Sequence, residues 1–328
     1  MHVDINGWID SFRDEWENGN NYDAVMGALQ DLHNGFFFTL TSRHPIGTNV
    51  FDRQWDLLIV LDACRVDAMQ AVAHEYDFIE AVDSIWSVGS ASHEWICKTY
   101  TSEHIDSIND TMLISTNPWL RLALKEQTYP PGNYSVPLMW PDWDVVEWDD
   151  LGEGWHIVDK YDELEIPPPP DFTTEHVIQA GREHDFGRTV VHYMQPHIPH
   201  IAAAYDGQRQ PTDIESDPWG AIRSGRASRA EIWEQYLDNL RLVLDSVESL
   251  LQNFDAETVA ITADHGEMIG ELGAYGHPAG FAHPDLKKVP WVTASATDEQ
   301  TITPTVELEQ ESADDELESQ LKALGYTE

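Results

Sequence analysis

Positive charge is what this chain has least of. The sequence contains 18 Lys and Arg against 59 Asp and Glu, a formal net charge of −41 over 328 residues. A protein that neutralises nucleic-acid phosphates needs a basic stripe or patch, and none is present, so the composition excludes nucleic acid as a partner. The acids are spread along the chain rather than collected in one tail, which predicts a protein of an extreme halophile.

We expect the protein to become more stable as the KCl concentration rises from low to molar values. Repulsion among so many acids destabilises the compact state, and the Debye length falls to about 3 Å at molar salt. Thermal unfolding followed across a KCl series measures the effect. A melting temperature that stays constant or falls would contradict the halophilic interpretation.

Cysteines and long apolar runs are also scarce. Cys64 and Cys97 are too few for a disulfide framework and lack the spacing of a metal site. No apolar run approaches the ~20 residues needed to cross a bilayer, and the first residues lack the basic and apolar regions of a signal peptide. We therefore expect a cytoplasmic protein without a transmembrane segment.

The distribution of apolar and polar segments predicts three parts. These are an N-terminal helical extension (1–50), a main domain (51–304) and an acidic C-terminal tail with a short helix (305–328). Within the main domain, residues 128–172 and 204–227 are rich in turn-forming and polar residues, so we interpret them as insertions.

Apolar runs typical of buried strands alternate with helical stretches in the main domain. The predicted strands are 57–61, 78–82, 112–115, 189–193 and 258–262. This alternation predicts an α/β fold with a largely parallel sheet covered by helices on both faces. A long helix is predicted after Ser228 and Glu231, which form a capping box.

Two of these strands end in side chains that can bind a metal ion. Asp62 follows the strand 57–61, and Asp264 and His265 follow the strand 258–262. Ligands bind at the carboxyl ends of parallel strands, so we predict that these three side chains hold one divalent cation. The alternative is that Asp264 caps a helix and His265 is merely exposed.

A third strand runs into a turn rich in His and Pro at residues 191–200. The prolines restrict the backbone and would hold His197 in a defined direction at the same edge of the sheet. A histidine there can donate a hydrogen bond to a bound oxyanion or protonate a leaving group. His192 lies within the strand and is expected in the core, and the role of His200 stays open.

The segment after His265 is rich in glycine, with five glycines in residues 266–280. His277 lies in it and is placed to return to the same pocket. Lys287 and Lys288 follow, and we expect this pair to be solvated.

Hydroxyl groups precede a predicted helix near residue 92. Ser90 and Ser92 both lie in the run Ser87–Trp95, and Ser92 fits the N-cap position. A hydroxyl before a helix N-terminus lies in a positive field, and coordination to a metal lowers its pKa further. Either serine is thus a candidate nucleophile.

Taken together, these features resemble the alkaline phosphatase/sulfatase superfamily. The resemblance rests on the order Asp62, a hydroxyl at a helix start, His197, the run Asp264–Glu267 and His277, and it covers roughly residues 55–292. It implies an alkaline-phosphatase-like fold.

The resemblance also implies roles for individual residues. The implied metal ligands are Asp62, Ser90, Asp264 and His265. Ser90 is the implied nucleophile, next to Gly89, and Ser92 is its rival because the register is uncertain by two residues. His197 and His277 would contact the transferred phosphoryl or sulfuryl oxygens.

Three departures from the classical sulfatase pattern affect the implied chemistry. Neither Cys64 nor Cys97 begins the Cys-x-Pro-x-Arg motif, and the chain has Asp264-His265 and His277 where sulfatases usually have Asp-Asn and Lys. The last two features favour the branch that resembles phosphoethanolamine and phosphoglycerol transferases. No Asp-x-x-x-His motif is present, which favours a single metal, and oxygen ligands with one imidazole suit Zn or Mn better than Ca or Mg.

The sequence therefore predicts a metal-dependent hydrolase or transferase that acts on a phosphate ester through a metal-activated serine and a covalent intermediate. Its partner would be a small-molecule, glycan-linked or lipid-linked phosphate or sulfate ester. Two alternatives stay open: a sulfate-ester hydrolase with an unmodified serine, and a non-catalytic protein that binds an anion or a glycan on the same fold.

Overall fold

The computed structural model describes residues 5–18, 21–130, 141–157 and 168–306. The strands are β1 Leu57–Leu61, β2 Asp83–Trp86, β3 Thr111–Ser115, β4 Glu153–His156, β5 Arg188–Tyr193, β6 Ala256–Thr262, β7 Met268–Ile269, β8 Tyr275–Gly276 and β9 Lys288–Ala296. The helices are α1 Ile5–Asn18, α2 Asn21–Thr41, α3 Val66–Val72, α4 Ser92–Thr99, α5 Ile105–Ile108, α6 Pro118–Leu120, α7 Pro170–Glu183, α8 Ala202–Asp206, α9 Asp213–Ser216, α10 Pro218–Arg223, α11 Arg229–Leu251 and α12 Pro284–Lys287.

Seven strands form one sheet in the order β2-β9-β6-β1-β5-β3-β4. The five neighbouring strands β6, β1, β5, β3 and β4 are parallel to one another, and β9 runs antiparallel to both β6 and β2. Every residue of β1 and β3 is buried, which requires cover on both faces of the sheet. The predicted α/β fold with a largely parallel sheet is confirmed.

The register of the central strands places the predicted site residues at one edge. Leu61 pairs with Tyr193 of β5, and Val60 pairs with Thr262 of β6. Two residues further along, Asp62 therefore lies level with Asp264, and the turn that follows β5 begins beside them.

One predicted strand is wrong. Residues 78–82 form no strand, and the nearest strand is β2, which pairs with β9 at the edge of the sheet. Phe78 and Ile79 still pack against the core, because a turn in which Ile79 N donates to Tyr76 O brings them there. The apolar side chains of Phe78 and Ile79 are therefore explained by packing against the core and not by pairing in the sheet.

The long helix α11 begins as predicted, with Ser228 and Glu231 forming a reciprocal capping box. Residues 204–227, predicted as an insertion, contain the short helices α9 and α10. Residues 307–328 of the predicted acidic tail lie outside the described residues, as do parts of the predicted insertion 128–172. No helix in the described part of the chain is both long enough and apolar enough to cross a bilayer.

Candidate metal centre

Asp62, Asp264 and His265 meet at the carboxyl edge of the sheet. The Nε2 atom of His265 lies 3.5 Å from Asp62 Oδ1 and 3.4 Å from Asp264 Oδ2. All three side chains are fully buried. Each offers a ligand atom within 4.8 Å of the others, so the strand ends bring together the three side chains that the sequence singled out.

Ser92 completes this group, and Ser90 does not enter it. Ser92 Oγ lies 3.2 Å from His265 Nε2 and donates to Asp62 Oδ2 at 3.3 Å. Ser90 Oγ instead donates to Glu94 Oε2 at 2.7 Å. The expectation that Ser90 faces the metal site is therefore corrected: the hydroxyl beside the predicted ligands belongs to Ser92.

The start of α4 explains the correction. Ala91, not Ser92, takes the N-cap conformation, and its side chain makes no capping bond. Glu94 in the first turn reaches back past the N-cap and accepts the Ser90 N–H at 2.8 Å, which fixes Ser90 away from the metal-type ligands. Ser92 is the first helical residue, so its oxygen is left for the metal-type ligands.

Backbone geometry brings the two acidic strand ends close together. Ala63 has a φ of 62°, a left-handed conformation that is uncommon for a residue other than glycine. In this conformation Ala63 N donates to Asp264 Oδ1 at 3.1 Å, and His265 N donates to the same oxygen at 2.8 Å. At Gly266 a Cβ atom would meet the carbonyl oxygen of Asp285 at 2.0 Å, so only glycine fits there.

The electrostatics keep this group in a form that can bind a cation. Burial alone would raise the pKa of Asp264, but the neighbouring imidazoles of His265 and His192, 3.4 and 3.6 Å from its Oδ2, hold it well below its usual range. Burial lowers the pKa of His265 despite the nearby Asp264. Ionised carboxylates and a neutral imidazole are the forms that coordinate metals.

A second group of possible ligands adjoins the first. His197, Glu267 and His277 also offer ligand atoms within 4.8 Å of one another. The ring centroid of His277 lies 4.9 Å from that of His197 and 4.5 Å from that of His265. The structure thus places both predicted oxygen-contacting histidines beside the predicted metal ligands.

His197 and His277 differ electrostatically. Burial, with the neighbouring His277 and His265, lowers the pKa of His197 well below its usual value. Burial would also lower the pKa of His277, but the charge of Glu267 raises it overall. His277 Nδ1 lies 3.2 Å from Glu267 Oε2, which orients its ring.

The donor set and its spacing fit a small divalent cation. A tetrahedral ion with bonds of ~2.0–2.1 Å separates its ligands by roughly 3.3–3.4 Å. Ser92 Oγ lies 3.2–3.3 Å from His265 Nε2 and Asp62 Oδ2, and His265 Nε2 lies 3.4–3.5 Å from an oxygen of each aspartate. Two carboxylates, one imidazole and a hydroxyl suit zinc or manganese better than calcium, which takes six to eight oxygen ligands.

Sequence reasoning missed several residues that support the site. Asn117 follows β3 and donates through Nδ2 to Asp62 Oδ2 at 2.9 Å. It lies at the end of a predicted strand, so the same rule that found Asp62 also applied to it. Asn239 of α11 donates to the carbonyls of Pro196 and His197 and holds that turn. No local pattern links Asn239 to a turn some forty residues earlier.

Two further histidines near the site, His192 and His200, are buried and pack against aromatic side chains. His192 is buried as expected, against Trp95, and its Nε2 lies 3.6 Å from Asp264 Oδ2. His200 packs against Tyr236, and burial lowers its pKa to about 4. His192 thus supports a predicted ligand from within the core.

A buried ionic cluster lies behind the Ser90 loop. It consists of Glu94, Lys98 and Lys287, of which none is more than 2% exposed. Lys98 Nζ donates to Glu94 Oε1, and Glu94 Oε2 also accepts the N–H of Gly280 at 3.3 Å. The expectation that Lys287 is solvated is therefore wrong, because α12 turns it inward, whereas Lys288 is exposed.

Comparison with known protein families gives a match to part of the chain. A family model described as Sulfatase matches residues 178–326, and the resemblance to the alkaline phosphatase/sulfatase superfamily is confirmed. No curated protein matches the chain.

Several solved structures are similar to this chain. One is the integral membrane lipooligosaccharide phosphoethanolamine transferase A of Neisseria meningitidis (14% identity, 76% of this chain and 48% of that chain, TM-score 0.46). Another is the C-terminal periplasmic domain of phosphoethanolamine transferase EptC of Campylobacter jejuni (14% identity, 74% and 79%, TM-score 0.44). A third is a putative sulfatase of Bacteroides thetaiotaomicron (14% identity, 82% and 70%, TM-score 0.35). The chain spans about half the length of the integral membrane transferase.

Proposed function

We propose that the protein is a metal-dependent hydrolase or transferase of phosphate esters with Ser92 as its nucleophile. The observation that carries the proposal is the position of Ser92 Oγ, within 3.3 Å of both His265 Nε2 and Asp62 Oδ2 at the start of α4. A hydroxyl among buried carboxylates and an imidazole is the arrangement that an activated serine nucleophile requires.

Asp62, Asp264, His265 and Ser92 would hold the ion, and a bound divalent cation supplies Lewis-acid stabilisation and a lowered hydroxyl pKa. Ser92 Oγ attacks phosphorus in line, and its proton passes by way of Asp62 Oδ2, to which it already donates, to the departing oxygen. The bond between phosphorus and that oxygen breaks, the alcohol leaves with the proton, and a phosphoseryl group remains while Asp62 is ionised again. Attack by water then gives hydrolysis, and attack by an alcohol gives transfer.

His197 and His277 lie where they can donate to the oxygens of the transferred group. Their rings are adjacent; Glu267 holds the ring of His277, and Asn239 holds the backbone of His197. Donors fixed in advance in a buried site stabilise developing negative charge without reorganisation.

The charge of the whole protein opposes the binding of an anion, so local positive charge is needed. Lys98 and Lys287 outnumber Glu94 in the ionic cluster, which leaves one net positive charge buried behind the loop that leads to Ser92. This local positive charge favours the binding of an anionic substrate, although the protein as a whole has a formal net charge of −41.

A sulfate-ester hydrolase is the second candidate. It is supported by the match of residues 178–326 to the Sulfatase family model. Cys64 and Cys97 are both buried, burial raises the pKa of each thiol, and neither belongs to the candidate centre. A sulfatase reaction here would therefore use the unmodified Ser92.

We expect the full chain, in molar KCl with zinc or manganese, to hydrolyse p-nitrophenyl phosphate or its diester at least ~100-fold faster than p-nitrophenyl sulfate. Asp264→Asn should lose both the turnover and the bound ion, measured by elemental analysis, because an amide replaces a buried anionic ligand. Asp149→Asn, on the exposed surface, is the matched control and should retain both.

Other results would redirect the proposal. Faster turnover of the sulfate would favour the second candidate. A bound ion with no turnover of any ester would favour a binding protein on this fold, and an undiminished ion content in Asp264→Asn would contradict the metal centre itself.

A further inference from the structure

The helix α2 carries a row of large apolar side chains on its outer face. They are Val25, Leu29, Leu32, Phe36 and Leu40, each between 40% and 64% exposed. Nine large hydrophobic residues are exposed in the described part of the chain, and five of them lie in this row. We call the row the α2 stripe.

The spacing of the α2 stripe is that of a helix-pairing seam. Its members are separated by four, three, four and four residues, which at 3.6 residues per turn keeps them within an arc of about 80°. A wide apolar arc is typical of a helix that faces a protein core, whereas a narrower stripe with spacings of three and four is typical of two helices packed along each other. The stripe runs for about 22 Å along the helix.

Charged residues are scarce on α2 itself around the α2 stripe. Residues 24–41 contain one acid, Asp31, and no Lys or Arg, in a chain where 59 of 328 residues are acidic. Asp31 lies about 140° around the helix from the middle of the stripe. Two copies could thus meet here without placing acid against acid, although the molecules repel each other elsewhere.

The same composition argues against a lipid surface as the occupant. Helices that lie in a membrane interface carry Lys and Arg on their polar face, and α2 has neither along its whole length. A basic protein partner would find no acid to pair with on the stripe. A second copy of this chain satisfies both the spacing and the lack of charge.

The opposite face of α2 fixes the helix to the body of the protein. Phe38 is fully buried and packs against Ala91 and Ala279. Thr41 Oγ1 accepts a hydrogen bond of 2.6 Å from Lys98 Nζ of the ionic cluster. The α2 stripe is therefore presented on a helix that is held in place from behind.

We propose that the α2 stripe is the interface of a homodimer, in which α2 of one copy packs along α2 of the other around a two-fold axis. Each copy then buries the five side chains that it exposes alone. Ala91 and Ala279 lie on the loops that carry Ser92 and His277, so the interface is also positioned to steady the candidate centre.

Light scattering coupled to gel filtration of the full chain in molar KCl tests the proposal. The wild-type protein is expected at twice its chain mass of 37.2 kDa. Leu32→Asp, in the middle of the stripe, is expected at the mass of one chain because it places two acids face to face. Trp86→Asp, which is 48% exposed on β2 and far in sequence from the stripe, is the matched control and should remain dimeric.

A cysteine cross-link tests the same interface without relying on the acidic variant Leu32→Asp. Both native cysteines are buried, so Leu32→Cys adds one accessible thiol near the two-fold axis, and mild oxidation should give a disulfide-linked dimer. A monomeric wild-type protein, a Leu32→Asp variant that stays dimeric, or the absence of cross-linking in Leu32→Cys would each overturn the proposal. Flotation of a monomeric wild-type protein with uncharged phosphatidylcholine vesicles would overturn it in favour of a lipid partner.

Discussion

Ser92→Ala is expected to lower the turnover of a phosphate ester by about 10⁴-fold or more, whereas Ser90→Ala should change it by less than about tenfold. Removal of a nucleophile costs this much because the remaining groups stabilise the transition state without forming the covalent intermediate. Ser92 Oγ lies beside His265 and Asp62, while Ser90 Oγ is occupied by Glu94. Steady-state kinetics of both variants, with the ion content of each measured, would check this.

The conservative variant Ser92→Thr provides a control for structural damage. It keeps a hydroxyl at the first position of α4 and should restore measurable turnover, which a purely structural role of Ser92 would not explain. Loss of turnover in Ser90→Ala with a nearly normal Ser92→Ala would show that the sequence-based choice of Ser90 was right.

The sequence was sufficient to place the metal-type ligands because their arrangement follows from a local rule. Asp62 and Asp264 each come directly after a run of buried apolar residues, and parallel strands end at the same edge. Because β1 and β6 are neighbouring parallel strands, their register alone places Asp62 beside Asp264. The proximity of these two residues could therefore be predicted without knowledge of the rest of the fold. The same rule would have found Asn117 had the polar residues after β3 been considered.

The sequence was not sufficient where a role depends on contacts between distant segments. Ser92 fits the N-cap preference as well as any serine does. In the structure, however, the Glu94 carboxylate accepts the N–H groups of Ser90 and Gly280 and a hydrogen bond from Lys98, and these contacts set the start of the helix. Lys287 was expected in solvent because lysine usually is. Its burial depends on an acid almost two hundred residues earlier in the chain, which no local pattern reveals.

Glu94→Gln is expected to lower the free energy of unfolding by about 3–5 kcal/mol, the usual cost of removing one partner from a buried ion pair. Glu94 is fully buried, and the charges of Lys98 and Lys287 overcome the effect of burial and lower its pKa to about 2. The neutral side chain leaves both lysines without an anion. Urea unfolding at constant molar KCl measures the loss, and Glu103→Gln, on the exposed surface, should stay within about 0.5 kcal/mol of wild type.

The pH dependence of this loss identifies its cause. Burial lowers the pKa of Lys287 from 10.5 to about 8, and although Glu94 opposes this shift, Lys98 adds to it. Between these two pH values the unfolded chain binds a proton that the folded chain has released, so this lysine makes stability rise with pH over that range. Below about pH 8 both states are protonated and the dependence ends.

In Glu94→Gln the folded pKa of Lys287 should fall further, because the acid that raised it is gone. The stability deficit should therefore shrink as the pH rises towards 8 and level off above it, because from about 8 to 10.5 this lysine makes both proteins gain stability at the same rate. Adding Lys287→Met to Glu94→Gln should remove most of that pH dependence and recover part of the lost stability at pH 7, since only Lys98 then remains uncompensated. A deficit that is independent of pH, and the same with and without Lys287, would show that the ionic cluster is not what Glu94 stabilises.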